Sequence, residues 1–189
     1  NDEAQMVYNF ALPPLLAFSV LKSNTEKLTK WAEELALPGE GVCFFNFTAS
    51  HDGIGVRAVN GILDEKEINF LVSTSIEHGG YASYRAIGDE DKSPYELNCS
   101  YIDLLTHPEE DDNLRVKRMM LSQAVVLAMP GVPGIYFHSL VGSRNYHEAV
   151  RKTRINRSVN RDKLNYDNLK ELLEEEGSLQ KILFKRYKQ

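Results

Sequence analysis

One stretch decides the fold class, and it reads Val42-Cys43-Phe44-Phe45-Asn46-Phe47-Thr48-Ala49-Ser50-His51-Asp52-Gly53-Ile54-Gly55. Residues 42–47 are almost continuously apolar, which is typical of a parallel strand covered on both faces. Polar residues begin abruptly after Phe47, and the glycines allow the backbone to turn sharply. Because ligand sites in parallel α/β folds form at the carboxyl ends of strands, this junction is a candidate site.

The residues before this stretch predict a strand followed by a helix. Residues 6–10 form a short apolar run closed by Pro13-Pro14, which is typical of a buried strand entering a turn. Ser23 and Glu26 have the spacing of a capping box, and the apolar stripe that follows them ends at Pro38-Gly39. We expect this helix to pack its stripe on a sheet.

The residues after the stretch predict a long insertion at residues 56–112. Asp64 and Glu67 open an amphipathic helix within it. Residues 81–98 are polar and rich in turn formers, including Gly88 to Asp91, and predict a loop that passes over the mouth of the fold and forms no part of its wall.

The last part of the chain predicts a further helix, a further strand and two closing helices. The helix spans about residues 114–129, the strand lies within residues 131–137, and leucines between 169 and 183 mark the closing helices. The order is thus βα, βα with a long insertion, then βα, and residues 1–189 are expected to form a single domain.

Composition and charge exclude several classes of protein. Hydrophobic residues make up 42% and charged residues 26% of the chain, which is ordinary for a globular protein. A formal charge of −5 with scattered Lys and Arg gives no support to nucleic-acid binding. No signal peptide and no apolar run of about 20 residues is found, so we expect a soluble cytoplasmic protein without membrane contact.

Metals and organic cofactors are not implied by the sequence. Cys43 and Cys99 lie far apart, outside any CxxC pair, and are expected to be buried free thiols. The histidines show no ligand spacing such as HExxH. The expectation is therefore no cofactor and no metal site.

Two interpretations of His51 and Asp52 remain open at this point. The glycines that follow would hold an imidazole and a carboxylate at the mouth of the strand, where both could take part in chemistry. Alternatively, Asp52 caps the following turn and His51 packs against its surroundings.

The stretch 45–56 resembles the seventh-strand signature of sucrose phosphorylase and its relatives in the alpha-amylase superfamily, glycoside hydrolase family thirteen, where an aromatic strand ends in His-Asp-Gly-Ile-Gly. Further segments are similar in the same order: residues 9–15 (sixth strand), 61–63 (long loop), 93–98, 130–136 with 142–145 (eighth strand) and 156–161. Residues 93–98 are similar to the mobile loop of the wider subfamily that includes glucosylglycerate phosphorylases. This resemblance implies an α/β fold, the carboxy-terminal part of a (β/α)8 TIM barrel with about strands six to eight, their helices and a long insertion after strand seven. A complete barrel needs about 250 residues, so we expect an incomplete one.

The resemblance also implies roles for five side chains. Asp52 matches the carboxylate that stabilises the cationic transition state, and His51 matches its neighbour that binds the glucosyl ring. Arg157 matches an arginine that grips the same ring, and Tyr95 matches a loop tyrosine that binds phosphate or acceptor. Glu96 is a further candidate for substrate binding and, with Pro94, favours a glucoside other than sucrose. The alternative for Tyr95 and Glu96 is that both are solvent-facing loop residues.

Two catalytic groups of the family are not found in the sequence. An Asp nucleophile in a Gly-x-Arg-x-Asp segment and a Glu acid/base should precede residue 6, and neither is present. The resemblance therefore implies a part of a retaining glucosyl phosphorylase, inactive alone, whose parent acts on a small sugar and inorganic phosphate to give glucose 1-phosphate. The alternatives are a glycoside hydrolase or transglycosylase of the same superfamily, and a non-catalytic sugar-binding or assembly module.

Because an incomplete barrel has open strand edges and exposed apolar faces, the isolated chain is expected to associate with a copy of itself. Size-exclusion chromatography of the 189-residue polypeptide should show species larger than the monomer. Elution as compact monomer alone would count against this prediction.

Overall fold

The computed structural model describes residues 4–36, 39–87 and 91–189 of the chain. The strands in chain order are Met6–Tyr8 (β1), Cys43–Phe47 (β2), Ile54–Gly55 (β3), Tyr81–Ile87 (β4), Asp91–Asn98 (β5) and Val132–Gly134 (β6). The α-helices are Leu12–Lys22 (α1), Glu26–Glu33 (α2), Glu65–Glu77 (α3), Tyr101–Leu104 (α4), Asp112–Ala128 (α5), Phe137–Leu140 (α6), His147–Thr153 (α7), Tyr166–Glu174 (α8) and Leu179–Tyr187 (α9). Short 3-10 helices lie at Arg57–Val59 and Asn156–Asn160.

A parallel sheet with the strand order β1-β2-β6 forms the centre of the fold. Tyr8 is paired with Phe45 in one direction, and Phe45 is paired with Val132 in the other. The strand predicted at residues 42–47 is therefore confirmed as an inner parallel strand. The mixed α/β class is confirmed as well.

The two faces of this sheet differ in what covers them. On one face Asn46 is fully buried, and its amide donates to the carbonyl of Pro130 at 3.1 Å. On the other face the rings of Tyr8, Phe45 and Phe47 contact one another, and Tyr8 remains 57% exposed. The prediction that β1 is buried is wrong, because all three of its residues are exposed. The prediction that β2 is covered on both faces holds only at its carboxyl end, where Asn46 and Phe47 are buried, whereas its first three residues are half-buried.

Helix α1 was not predicted, because Pro13-Pro14 indicates a turn. Both prolines lie in the first turn of the helix, where a missing N–H costs nothing and the fixed φ suits helical geometry. Leu12, Leu15 and Ala17 are fully buried. The helix joins the core with α3, β5, α4 and α5, and it ends at Ser23, whose φ of 51° is left-handed.

The capping predictions have different outcomes for the next two helices. Helix α2 begins after Thr25, and Asn24 accepts a hydrogen bond from the Glu26 amide at 2.8 Å, so the predicted Ser23 capping box is wrong. Its predicted end at Pro38 lies outside the described residues. Helix α3 has the full capping box, with Asp64 accepting from the Glu67 amide at 2.9 Å and Glu67 accepting from the Asp64 amide at 2.7 Å.

The loop predicted at residues 81–98 is wrong, because β4 and β5 form an antiparallel hairpin and β3 extends the sheet. Pro94 suggested a turn, yet it lies next to a register shift between Ser83 and Tyr84, and bulges accept proline in sheets. Leu97 is fully buried in the core, which holds the strand in place. The turn predicted at Gly88-Asp91 lies largely outside the described residues.

The carboxy-terminal helices agree with the sequence. Helix α5 covers the predicted 114–129 segment and begins at Asp111, whose carboxylate accepts from the Leu114 amide at 2.8 Å. Helices α8 and α9 contain the predicted leucines, and Leu183 is fully buried. Along the described ranges, each helix is too short or too polar to traverse a bilayer.

The two thiols should react at different rates. Cys99 is 3% exposed, and burial raises the pKa of its thiol to about 12, so the reactive thiolate is scarce near neutral pH. Cys43 is only half-buried. A maleimide at pH 7.5 should label Cys43 first in the folded chain, and Cys99 only after unfolding in denaturant, as read by mass spectrometry. The Cys43→Ser variant should lose the fast label, and equal labelling of both thiols in the folded chain would contradict the prediction.

Candidate functional site

The candidate site lies where β2 ends and the chain turns towards β3. Asp52 and His51 line a cavity of about 520 Å³ whose other walls include Tyr8, Phe47 and Tyr136. The aromatic walls come from the face of the parallel sheet that carries Tyr8 and Phe47. The structure thus places Asp52 at the carboxyl end of an inner strand, facing a space large enough for a sugar.

Asp52 is held by two arginines. Its Oδ1 accepts from Nη1 of Arg157 at 2.9 Å and from Nη2 of Arg161 at 3.2 Å. Its carboxylate makes no described bond to the backbone of the following turn, so the capping alternative is wrong. His51 lies with Nε2 3.7 Å from Asp52 Oδ2, and its side chain is 74% exposed, which also excludes the packing alternative.

Glu96 lies beside this pair and is buried. Its carboxylate accepts from Nε and Nη2 of Arg157 at 2.9 and 2.8 Å, a bidentate ion pair. It also accepts from the Gly53 amide at 3.1 Å and from Nδ2 of Asn98 at 2.8 Å. The alternative of a solvent-facing residue is wrong for Glu96, whereas its neighbour Tyr95 is 40% exposed.

Arg157 joins the two carboxylates. It lies in the 3-10 helix Asn156–Asn160 and bonds Glu96 through one edge of its guanidinium and Asp52 through Nη1. The hydrogen bonds to Glu96, and more weakly the charge of Asp52, raise the pKa of Arg157. The guanidinium is therefore a fixed positive charge between them.

The sequence analysis missed three residues that shape the site. Asn160 donates to the carbonyls of Ser50 and Asp52 at 3.1 and 3.0 Å, and Nε of Arg161 donates to the carbonyl of His51. Tyr136 donates to the Asn160 carbonyl at 3.1 Å, and burial raises the pKa of this phenol. The sequence pointed to residues 156–161 as a segment. The roles of Asn160 and Arg161 become visible only in their contacts with residues about a hundred positions earlier in the chain.

Both arginines bond Oδ1 of Asp52, which leaves its Oδ2 as the negatively charged oxygen available to a positive charge. Of the described residues that line the cavity, Asp52 is the one carboxylate. A retaining glycosidase needs two carboxyl groups about 5 to 5.5 Å apart, one as nucleophile and one as acid/base. The described residues also contain no cluster of three or more His, Cys, Asp or Glu side chains arranged to hold a metal ion. Asp52 can thus stabilise a cationic sugar but cannot perform both steps alone.

Comparisons with known proteins agree with the predicted resemblance. The chain is 41% identical over 184 residues to glucosylglycerate phosphorylase of Escherichia coli (strain K12), covering 97% of the chain and 33% of that protein. It is 30% identical over 169 residues to sucrose phosphorylase of Agrobacterium vitis, covering 85% of the chain and 32% of that protein. No protein-family model matches the chain. The predicted resemblance to the phosphorylase branch is confirmed, and the chain spans about a third of the length of these relatives.

A solved structure has a similar fold. The crystal structure of sucrose 6F-phosphate phosphorylase from Thermoanaerobacter thermosaccharolyticum superposes with a TM-score of 0.78 at 23% identity, covering 96% of this chain and 36% of that one. At this identity the likeness concerns the fold alone.

Two glycines of the site provide a matched test of its packing. A Cβ on Gly53 would lie 2.4 Å from Cγ of Glu96 and 2.6 Å from Nδ2 of Asn98, whereas a Cβ on Gly55 would meet nothing within 4 Å. Gly53→Ala should therefore lower the free energy of unfolding by about 1–3 kcal/mol. Gly55→Ala should change it by less than about 1 kcal/mol. Denaturant unfolding of both variants measures the difference, and equal stabilities would contradict the described contact.

Proposed function

We propose, from its homology to about a third of the glucosylglycerate and sucrose phosphorylases, that this chain forms the transition-state-stabilising part of a retaining glucosyl phosphorylase. The observation that carries the proposal is Asp52, which lies at the carboxyl end of β2, faces a 520 Å³ cavity and is held by two arginines. Asp52 is in the position that the family signature gives to its third carboxylate.

The fold supports a partial-barrel interpretation. In this proposal β1, β2 and β6 are strands six, seven and eight of a (β/α)8 barrel, and residues 56–112 are the insertion after strand seven. The helices cover what would be the outer face of the wall. The rings of Tyr8, Phe45 and Phe47 would face the barrel interior, where side chains from the other strands of the barrel would pack against them.

The reaction proceeds in two displacements. The C1–O bond of the glucoside breaks as glucose is transferred to a carboxylate nucleophile while an acid protonates the departing oxygen. An oxygen of inorganic phosphate then bonds C1 and releases the carboxylate, giving glucose 1-phosphate. The sequence contains neither the Gly-x-Arg-x-Asp segment in which the family carries its nucleophile nor a candidate for the acid ahead of residue 6. Asp52 contributes a fixed negative charge beside the cationic ring as each bond to C1 is half broken.

The neighbouring side chains bind the substrate in this proposal. His51, 74% exposed, and Arg157, 37% exposed, offer donors to hydroxyls of the glucosyl ring. Tyr95, 40% exposed on β5, is the residue that we propose contacts phosphate or the acceptor. Glu96 was predicted as a substrate-binding residue as well. Since the relatives with the higher identity are glucosylglycerate phosphorylases, glucosylglycerate is the glucoside that we propose.

The test is phosphorolysis by the polypeptide that carries this chain. With glucosylglycerate and inorganic phosphate it should release glucose 1-phosphate, and Asp52→Asn should lower kcat by at least about 10²-fold because a fixed charge that favours the transition state is removed. An enzyme-coupled assay for glucose 1-phosphate gives both values.

Other products would identify the alternatives. Free glucose without glucose 1-phosphate would establish a hydrolase, and a new glucoside would establish a transglycosylase. Binding of glucosylglycerate with no product of any kind, for wild type and Asp52→Asn alike, would establish a non-catalytic sugar-binding module. Any of these outcomes refutes phosphorolysis.

A further inference from the structure

We infer that Glu96 is a positioning residue: it acts on the substrate through Arg157, by fixing the guanidinium that in turn holds Asp52. This inference rests on the proposed function, and it assigns to Glu96 a role different from direct substrate binding. Its basis is the number and kind of bonds that the buried carboxylate makes.

The carboxylate of Glu96 has no acceptor capacity left for a sugar. Oε1 accepts from the Gly53 amide at 3.1 Å and from Nη2 of Arg157 at 2.8 Å. Oε2 accepts from Nε of Arg157 at 2.9 Å and from Nδ2 of Asn98 at 2.8 Å. A carboxylate offers about four lone-pair sites, and four donors occupy them. With 5% exposure, Glu96 is also shielded from the cavity.

The site requires an acid and not an amide at position 96. All four partners are N–H donors, so an acceptor-only group satisfies every one of them. A glutamine would turn its own NH₂ donors towards at least two of these N–H groups. A Glu96→Gln change is therefore not conservative here, although it preserves the size of the side chain.

Glu96 connects two parts of the chain that are far apart in sequence. Glu96 is part of the hairpin β4–β5, where Asn98 of the same strand donates to its carboxylate and accepts from Ser83 Oγ of β4 at 2.6 Å. Through the Gly53 amide it holds the turn that carries His51 and Asp52. Arg157 bonds Glu96 through one edge, which leaves Nη1 directed at Asp52. Loss of Glu96 should release the guanidinium of Arg157 and leave Asp52 held firmly only by Arg161.

The experiment compares Glu96→Gln with Glu109→Gln in the polypeptide that carries this chain. Glu109 is a matched control, since its side chain is 90% exposed and lies outside the site. Glu96→Gln should lower kcat/KM for glucosylglycerate about 10²-fold, as expected for misplaced groups, and should lower the rates at which phosphate and water accept the glucosyl group by equal factors. Glu109→Gln should leave both rates unchanged.

Two readouts separate positioning from a merely structural role. The Nε–Hε signal of Arg157 in ¹⁵N NMR should exchange slowly with solvent in wild type and rapidly in Glu96→Gln, while the melting temperature reports folding separately. In a double-mutant cycle, Glu96→Gln with Arg157→Lys should lose no more activity than Arg157→Lys alone. If Glu96→Gln folds poorly, Asn98→Ala should show a smaller change of the Arg157 signal in the same direction.

Two results would contradict the positioning role of Glu96. A loss confined to the phosphate-dependent rate, with an unchanged Arg157 signal, would show that Glu96 binds the acceptor directly and would overturn the inference. Additive losses in the double-mutant cycle would do the same. If wild type releases no glucose 1-phosphate, the proposed function fails, and the Arg157 signal in the variants still decides whether Glu96 positions it.

Discussion

The parallel pairing of β2 with β1 on one side and β6 on the other is the constraint on which the fold depends. The partners come from residues 6–8 and 132–134, so the central strand joins two segments that are far apart in sequence. A parallel pair cannot be closed by a tight turn, and each connection must return over the sheet. The helices that cover one face and the hairpin beside the carboxyl end of β2 both follow from these long connections.

The sequence predicted the parts of the fold that local patterns determine. The apolar run at residues 42–47 identified the inner strand, and the Asp64/Glu67 pair located the start of a helix, because strand burial and helix capping leave signals within a few residues. The turn predicted at Pro13-Pro14 and the loop predicted around Ser93-Pro94 are wrong, because proline fits the first turn of a helix and a bulged strand as well as it fits a turn. The context that decides between these uses lies in distant parts of the chain.

The site residues also divide into those that local sequence indicates and those that only the folded structure reveals. Asp52 and His51 could be selected from the turn that contains them, and Arg157 through the family resemblance. The contacts that fix them could not, because Glu96, Asn160 and Arg161 reach Asp52 or its neighbours only after the chain has folded. Glu96 in particular has the sequence surroundings of a polar loop residue but the surroundings in space of a core residue. Burial of a charge needs compensating partners, and these are not visible in sequence.

The contrast between two neighbouring residues of β5 has an evolutionary consequence. Tyr95 and Glu96 are successive residues, one exposed and the other anchored. Tyr95 lies at the register shift of the hairpin, where β5 carries one residue more than its partner strand. Replacement of Tyr95 should therefore leave the bonds between Glu96 and Arg157 intact. Natural variation can thus alter the outward residue without disturbing the charge network behind it.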